Sequence, residues 1–168
     1  MWYVIQVRSG NEADIVRQCQ LLVKAEVLLE CFIPYYEEMK RYRGQWHKEK
    51  GVLFPGYVFL VTEQVVELFH ELKKVPELTK LLGVGNEIVP LNENEVDFLK
   101  RFGKDKHLVE VSQGFIVNDR VVVTDGPLAG NEGLIKRIDR HKRKAYLEIP
   151  MFGRLVMAQV GLEVVEKR

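Results

Sequence analysis

The sequence of 168 residues contains no long apolar run, and this absence limits where the chain can act. A helix that crosses a membrane needs about 20 consecutive, mostly apolar residues, and no stretch of the sequence approaches that length. The first residues, Met1 to Ile5, also lack the basic region and the apolar core of a signal peptide. We therefore expect a soluble cytoplasmic protein with no membrane partner.

Cysteine and histidine are also scarce, with two and four residues respectively. In a cytosolic protein Cys19 and Cys31 are expected to be reduced thiols. The histidines are scattered, and the sequence shows no metal-ligand spacing, nucleophile elbow or phosphate loop. The sequence therefore predicts neither a metal site nor a cofactor, and we do not expect an enzyme.

The net charge is close to zero, but the positive charge is concentrated near the C-terminus. Residues 1–111 carry 15 Lys and Arg against 17 Asp and Glu, whereas residues 112–168 carry 10 against 7. Six of those ten basic residues lie between Lys136 and Lys144. Such a local positive patch bears on the choice of partner more than the total charge does.

Residues 1–103 show the alternation of strands and helices that is typical of an α+β domain. The β-branched and aromatic residues from Trp2 to Val7 predict a strand, and Tyr57 to Val61 predict a buried one with Tyr57 and Phe59 on the same side. Apolar residues at helical spacing predict a first helix after Glu12, a second from Val65 and a third from Asn92. We expect an antiparallel sheet covered by these helices.

Local turn and capping signals place the ends of these elements. Ser9 with Glu12, and Asn92 with Glu95, have the spacing of a capping box at a helix start. The segments 32–42 and 46–53 flank Arg43-Gly44-Gln45, which predicts an extended pair around a glycine turn.

The chain changes character after residue 103. Residues 104–113 are mostly polar and without clear period, which indicates an interdomain linker. Beyond it, four short runs rich in β-branched residues, separated by Gly, Pro or charged turns, predict a small all-β barrel over residues 114–168. The predicted domains are therefore 1–103 and 114–168.

Three segments in order resemble the bacterial NusG proteins and cover most of the chain. Residues 2–12, WYVIQVRSGNE, are similar to the opening strand and turn of that family, and residues 53–59, LFPGYVF, resemble its most recognisable segment. Residues 122–130, VVTDGPLAG, with Gly133 and then residues 151–154, MFGR, resemble its KOW motif and the strand beyond. The resemblance implies a NusG-type N-terminal domain followed by a KOW barrel.

The resemblance also implies a partner. NusG N-terminal domains bind the clamp helices of the RNA polymerase β′ subunit, and the matching positions here are Phe54, Tyr57 and Phe59. Aromatic side chains on one sheet face are suited to bury a partner helix, and the alternative is that all three belong to the core. In the family the KOW barrel binds Rho, a ribosomal protein or nucleic acid, and the matching edge includes Phe152 and Arg154.

The basic residues of the second half suggest an RNA site. They lie on adjoining strand ends and a hairpin turn, so their charges can converge on one edge of a barrel and contact phosphates. Arginine can also bind guanine edges through two hydrogen bonds, and His141 can stack on an unpaired base. The alternative is a solvated hairpin whose charges only favour solubility. The predicted RNA-binding residues are Lys136, Arg137, Arg140, His141, Lys142, Arg143, Lys144 and Arg154.

The basic turn and the N-terminus without an extension resemble one specialised class of the family, the LoaP antiterminators. That resemblance implies a processive antitermination factor that binds a hairpin in a leader transcript. Two alternatives remain: a general NusG-type elongation factor that couples polymerase to Rho or the ribosome, and a ribosome-associated KOW protein. Binding to the non-template DNA strand is also left open.

Overall fold

The computed structural model describes residues 1–78 and 88–166, which fall into two compact units. The first unit comprises Met1–Ile33 and Pro55–Val96, and the second comprises Pro34–Phe54 and Asp97–Arg168. Residues 34–54 therefore group with the C-terminal half of the chain. The domain boundary predicted between residues 103 and 114 is not tested by this grouping and stays a prediction.

Helices and strands alternate in the first half, and strands dominate the second. In chain order the elements are β1 (Trp2–Gln6), α1 (Glu12–Leu22), β2 (Glu30–Phe32), β3 (Tyr35–Tyr42), β4 (Gln45–Val52), β5 (Tyr57–Val61), α2 (Val65–Leu72), β6 (Val89–Pro90), α3 (Glu93–Gly103), β7 (Leu108–Val109), β8 (Ser112–Val117), β9 (Arg120–Asp125), β10 (Ile135–Asp139), β11 (Lys144–Met151) and β12 (Arg154–Glu166).

The first unit is built on a four-stranded antiparallel sheet in the order β2-β5-β1-β6. Because side chains alternate along a strand, Ile5, Val58 and Leu60 share one face of this sheet. They form a buried core with residues of both helices, including Ile15 of α1 and Leu68 of α2. The predicted α+β organisation of this part of the chain is confirmed.

The other face of that sheet is aromatic. Phe59 pairs with Val4 and Phe32 on its two neighbouring strands. The rings of Phe32 and Phe59 stack with centroids 5.3 Å apart, and Trp2 meets Phe32 edge-on at 5.1 Å. Tyr57 lies two residues before Phe59 and therefore on the same face, as predicted.

The two predicted capping boxes have different outcomes. At α3 the box is confirmed, because Asn92 N donates to Glu95 Oε1 at 2.9 Å and Glu95 N donates to Asn92 Oδ1 at 2.8 Å. At α1 the prediction is wrong, because the helix follows Asn11 and has no side-chain cap. The buried Glu12 carboxylate accepts hydrogen bonds from the backbone N–H groups of Gly10 and Gly56 instead, which ties the helix start to the turn before β5.

The second unit contains a five-stranded sheet, in the order β10-β11-β12-β8-β9, and a three-stranded sheet, in the order β4-β3-β7. The predicted extended pair is the hairpin of β3 and β4, and positive φ angles of 51° at Arg43 and 76° at Gly44 produce its tight two-residue turn. The five-stranded sheet confirms the all-β prediction. Among the described strands β9 and β10 do not pair with each other, so closure into a barrel stays a prediction.

The segment predicted as a linker is structured. Residues 104–106 form a 3-10 turn, and β7 pairs in parallel with β3. Val109 is buried and therefore belongs to the core of the second unit. The sequence does not predict this strand, because two residues are too few to show an alternation of apolar and polar side chains.

Candidate nucleic-acid interface

The basic cluster lies on the turn between β10 and β11, whose shape is set by one aspartate. Asp139 Oδ1 accepts a hydrogen bond from Lys142 N at 3.0 Å, a bond that aspartate commonly makes in turns. Arg143 closes the turn with a φ of 53°, and its N–H donates to the carbonyl of Arg140 at 3.3 Å. Arg140, His141 and Lys142 are consequently exposed at the tip.

Lys144, the first residue of β11, is held by the β3–β4 hairpin. Its Nζ lies 2.8 Å from Oε2 of Glu38, and the two side chains are 15% and 5% exposed. Lys144 Nζ also donates to Oε1 of Gln159 at 3.3 Å. This lysine therefore joins the hairpin to the five-stranded sheet and is not a side chain directed into solvent.

The Glu38 carboxylate is the centre of a small polar group. Burial alone would raise its pKa, but hydrogen bonds from Lys144, Tyr36 and Lys40 outweigh this effect and hold the pKa of Glu38 below its usual value. The pKa of Tyr36 is raised, first by burial and then by Glu38. Lys40 Nζ lies 3.2 Å from Glu38 Oε1. Glu38 is therefore ionised at neutral pH, between two ammonium groups.

Arg143 also contacts the hairpin. Its guanidinium carbon lies 3.9 Å from the ring centroid of Trp46, the distance of a cation–π contact. Its Nη1 lies 3.7 Å from Oε1 of Glu163 on β12. Arg143 and Lys144, both predicted to bind RNA, therefore have partners within the protein.

Lys136 and Arg137 lie on β10, next to the turn. Lys136 Nζ is 3.8 Å from Glu148 Oε2, and the guanidinium of Arg137 lies 4.2 Å from the centroid of the Tyr146 ring. Both basic residues are exposed. Exposed ion pairs contribute only about 0.2–1 kcal/mol, so exchange of Glu148 for a phosphate costs little.

Arg154 does not join the cluster. The register of β11 and β12 pairs Lys144 with Gly161 and Met151 with Arg154, which places the basic turn and Arg154 at opposite ends of this strand pair. Seven residues of extended chain separate the two ends by roughly 23 Å. Arg154 follows the turn that contains Phe152, whose ring centroid lies 5.7 Å from that of Phe54.

The predicted docking residues are all buried. Phe54 and Phe59 are 0% exposed and Tyr57 is 7% exposed. Tyr57 and Phe59 lie on the aromatic face of the first unit, opposite its helices, whereas Phe54 belongs to the second unit. Their burial agrees with the core interpretation, and their place on an aromatic sheet face agrees with the interface interpretation. Both interpretations stay open.

The sequence reasoning missed the residues of the hairpin that face the basic turn. Lys40, Arg41 and Trp46 line a cleft of about 410 Å³ together with His141, Lys142 and Lys144. The sequence does contain a pattern typical of nucleic-acid binding here, because residues 40–48, KRYRGQWHK, interleave basic and aromatic side chains. Sequence alone could not show that this hairpin, some 100 residues away along the chain, lies beside the basic turn.

The described residues contain neither a metal-binding cluster nor a membrane-spanning helix. Within residues 1–78 and 88–166, no three His, Cys, Asp or Glu side chains lie close enough together to hold a metal ion. In the same part of the chain, no helix is long and apolar enough to cross a membrane.

Comparison with known families identifies the class of the protein. The family model described as transcription termination factor nusG matches residues 1–100, and the KOW motif matches residues 117–148. An α+β domain followed by a KOW motif is therefore the organisation of this chain. Because the first match covers more than half of the sequence, the chain belongs to the NusG family of transcription termination and antitermination factors.

Individual relatives support the same assignment over the full length. The chain is 27% identical to the transcription termination/antitermination protein NusG of Bacillus subtilis over 174 residues, which cover 99% of this chain and 97% of the relative. It is 25% identical to the NusG protein of Campylobacter jejuni, with coverage of 99% and 96%. At the level of the family, these names agree with the expectation that the chain is not an enzyme.

A solved structure is similar in fold. The structure described as domain interaction in Thermotoga maritima NusG has a TM-score of 0.52 and 23% sequence identity. The similarity covers 95% of this chain and 92% of that chain. It supports the fold described above.

Proposed function

We propose that this chain is an antitermination factor that binds RNA polymerase through its N-terminal domain and a structured leader RNA through the basic turn. The basic turn is the observation that carries the proposal. Six basic residues lie within nine positions, and the turn geometry keeps Arg140, His141 and Lys142 exposed at the tip. Clustered cations of this kind bind phosphates in a salt-dependent way.

Specific binding requires more than charge. The bases of A-form RNA lie in a deep, narrow groove, so sequence-specific proteins contact loops, bulges and distorted stems. An RNA hairpin offers both a charged stem and unpaired bases, which suits a basic turn that contains arginine and histidine. This chemistry favours the LoaP class of the family over a general factor.

The polymerase contact is proposed for the aromatic face of the first unit, which includes Trp2, Phe32, Tyr57 and Phe59. Its side chains are the type that dominates protein interfaces, and they point away from the helical core. The partner segment is a helical pair, the β′ clamp helices, and an apolar helix face can pack on aromatic side chains of this kind. Phe54 is proposed as a further contact.

The second candidate is a general NusG factor that links polymerase to Rho or to a ribosomal protein. Its support is the similarity to proteins named NusG across 99% of the chain. The turn at Phe152 and Arg154, remote from the basic cluster, is the candidate contact for such a partner. A ribosome-associated protein without polymerase binding is the third possibility.

Co-purification distinguishes the two polymerase-binding candidates from the ribosome-associated one. The full chain is immobilised and exposed to purified core RNA polymerase and, separately, to purified ribosomes. We expect retention of polymerase. Binding to ribosomes alone would contradict the proposal and support the ribosome-associated alternative.

A further inference from the structure

The β3–β4 hairpin and the basic turn face each other across a cleft in the second unit. The cleft has a volume of about 410 Å³, within the range of about 300–1,000 Å³ that is typical of small-molecule sites. One wall carries Lys40, Arg41 and Trp46, and the other carries His141, Lys142 and Lys144. We propose that this cleft binds an unpaired nucleotide of RNA, so that the hairpin and the turn form one composite RNA site. The inference rests on the proposed RNA binding of the basic turn.

The two walls are fixed to each other by contacts below the cleft. Glu38, whose side chain is 5% exposed, binds Lys144 at 2.8 Å and Lys40 at 3.2 Å. The hairpin backbone also approaches β12 closely, since a Cβ added to Gly161 would lie 2.6 Å from the carbonyl oxygen of Glu37. The cleft therefore exists before RNA binds, and little ordering of the protein is needed on binding.

The charges of the cleft favour a phosphate. Lys40 and Lys144 share the single buried carboxylate of Glu38, and Lys40 has the exposed Glu49 as a second, weaker partner at 3.6 Å. Arg41 and Lys142 are exposed and make no ion pair among the described residues. Arg41 and Lys142, on opposite walls of the cleft, can therefore contact the phosphates on either side of one nucleotide.

The base is recognised by Trp46. The indole is half-buried, and the guanidinium of Arg143 lies 3.9 Å from its ring centroid, which holds the ring in place. Aromatic side chains beside basic grooves are the usual stacking partners of unpaired bases, and each stacked base contributes about 1–3 kcal/mol. A paired base cannot stack in this way, because its faces are covered by its neighbours in the duplex. The cleft therefore selects single-stranded over duplex RNA.

The test measures the affinity of the full chain for two probes: a short mixed-sequence single-stranded RNA, and the blunt duplex that it forms with its complement. Trp46→Ala is expected to weaken single-strand binding about tenfold or more and to change duplex binding less than about twofold. Lys48→Ala is the matched control, because this exposed cation lies on the same hairpin but does not line the cleft. Lys48→Ala should lower the affinity for both probes slightly and equally.

A second measurement keeps the test valid if Trp46→Ala unfolds. In a Trp2→Phe variant Trp46 is the only tryptophan, and its fluorescence should be quenched by the single-stranded probe but not by the duplex. Equal effects of Trp46→Ala on both probes, or equal quenching, would overturn the composite site.

Arg140→Ala separates this inference from the proposed function. One outcome is that Arg140→Ala lowers the affinity for both probes while Trp46→Ala lowers the affinity for neither. In that case the basic turn binds RNA and the composite site is wrong. If neither variant weakens either probe, the proposed RNA binding fails as well.

Discussion

The Nζ of Lys144 lies 2.8 Å from Oε2 of Glu38, and this ion pair joins the hairpin of β3 and β4 to the first residue of β11. It therefore links two segments more than 100 residues apart in the sequence. Removal of one partner from a buried pair leaves the other charge uncompensated, which is costlier than loss of an exposed pair.

Glu38→Gln should destabilise the second unit by about 2 kcal/mol at neutral pH, because Lys144 and Lys40 lose their shared buried carboxylate. Urea unfolding measures this loss. Glu49→Gln is the control, since Glu49 is 51% exposed and its contact with Lys40 is long, so its loss should cost less than about 0.5 kcal/mol. Equal costs for the two variants would show that the Glu38 contact does not stabilise the fold.

The stabilisation by Glu38 should depend on pH. The pKa of Glu38 is lower in the folded chain than its ordinary value of 4.5, so the stabilisation is fully present above that value. It is lost as the pH falls through the folded pKa. The stability difference between the wild-type chain and Glu38→Gln should therefore shrink below pH 4.5. A difference that is constant from neutral pH into the acid range would contradict this assignment.

Tyr57→Ala with Phe59→Ala should abolish polymerase binding if the aromatic face is the docking surface. The same change removes buried rings, and truncation of a buried Phe costs about 3–5 kcal/mol. Ile15→Ala is the matched control, because Ile15 is buried on the opposite, helical side of the same sheet. Polymerase binding and thermal unfolding are measured for all variants. A folded double variant that retains full binding would show that these rings are core residues only.

The sequence predicts local structure well and long-range proximity poorly. The three longer helices, the hairpin around Arg43 and Gly44 and the capping box at Asn92 follow from local patterns of apolar, turn and capping residues. The contact of Lys144 with Glu38, and of Arg143 with Trp46, depends on how distant segments pack, and no local pattern encodes it. For the same reason, the sequence could not show that Arg154 and the basic turn lie at opposite ends of β11.

A fragment that contains the five-stranded sheet without the hairpin should fold. Its structure should differ from that of the full chain only near the lost contacts. A fragment of residues 112–168 retains strands β8 to β12 but lacks β3, β4 and β7. Its amide spectrum should match that of the full chain except near residues that contact the missing part of the chain, namely Arg143, Lys144, Phe152 and Gly161. Complete superposition of the two spectra would show that the hairpin contacts do not persist in solution.

Arginine and lysine in the basic turn should have separable roles. Lys142→Ala removes one phosphate contact and should weaken a leader hairpin and a scrambled RNA to the same extent. Arg140→Lys keeps the charge but removes the planar group that can hydrogen-bond a guanine edge twice, so it should cost the hairpin about 1–3 kcal/mol more than the scrambled RNA. Both affinities are measured at physiological salt. Equal losses for the two RNAs in Arg140→Lys would favour binding by charge alone.

Transcription through a terminator with purified RNA polymerase tests whether the chain is an antitermination factor recruited by leader RNA. Two templates are compared, one that encodes the native leader hairpin upstream of the terminator and one in which that hairpin is scrambled. We expect the full chain to increase read-through on the native template only, and Arg140→Lys to reduce this increase. Equal read-through on both templates, or no increase on either, would contradict an antitermination factor recruited by leader RNA.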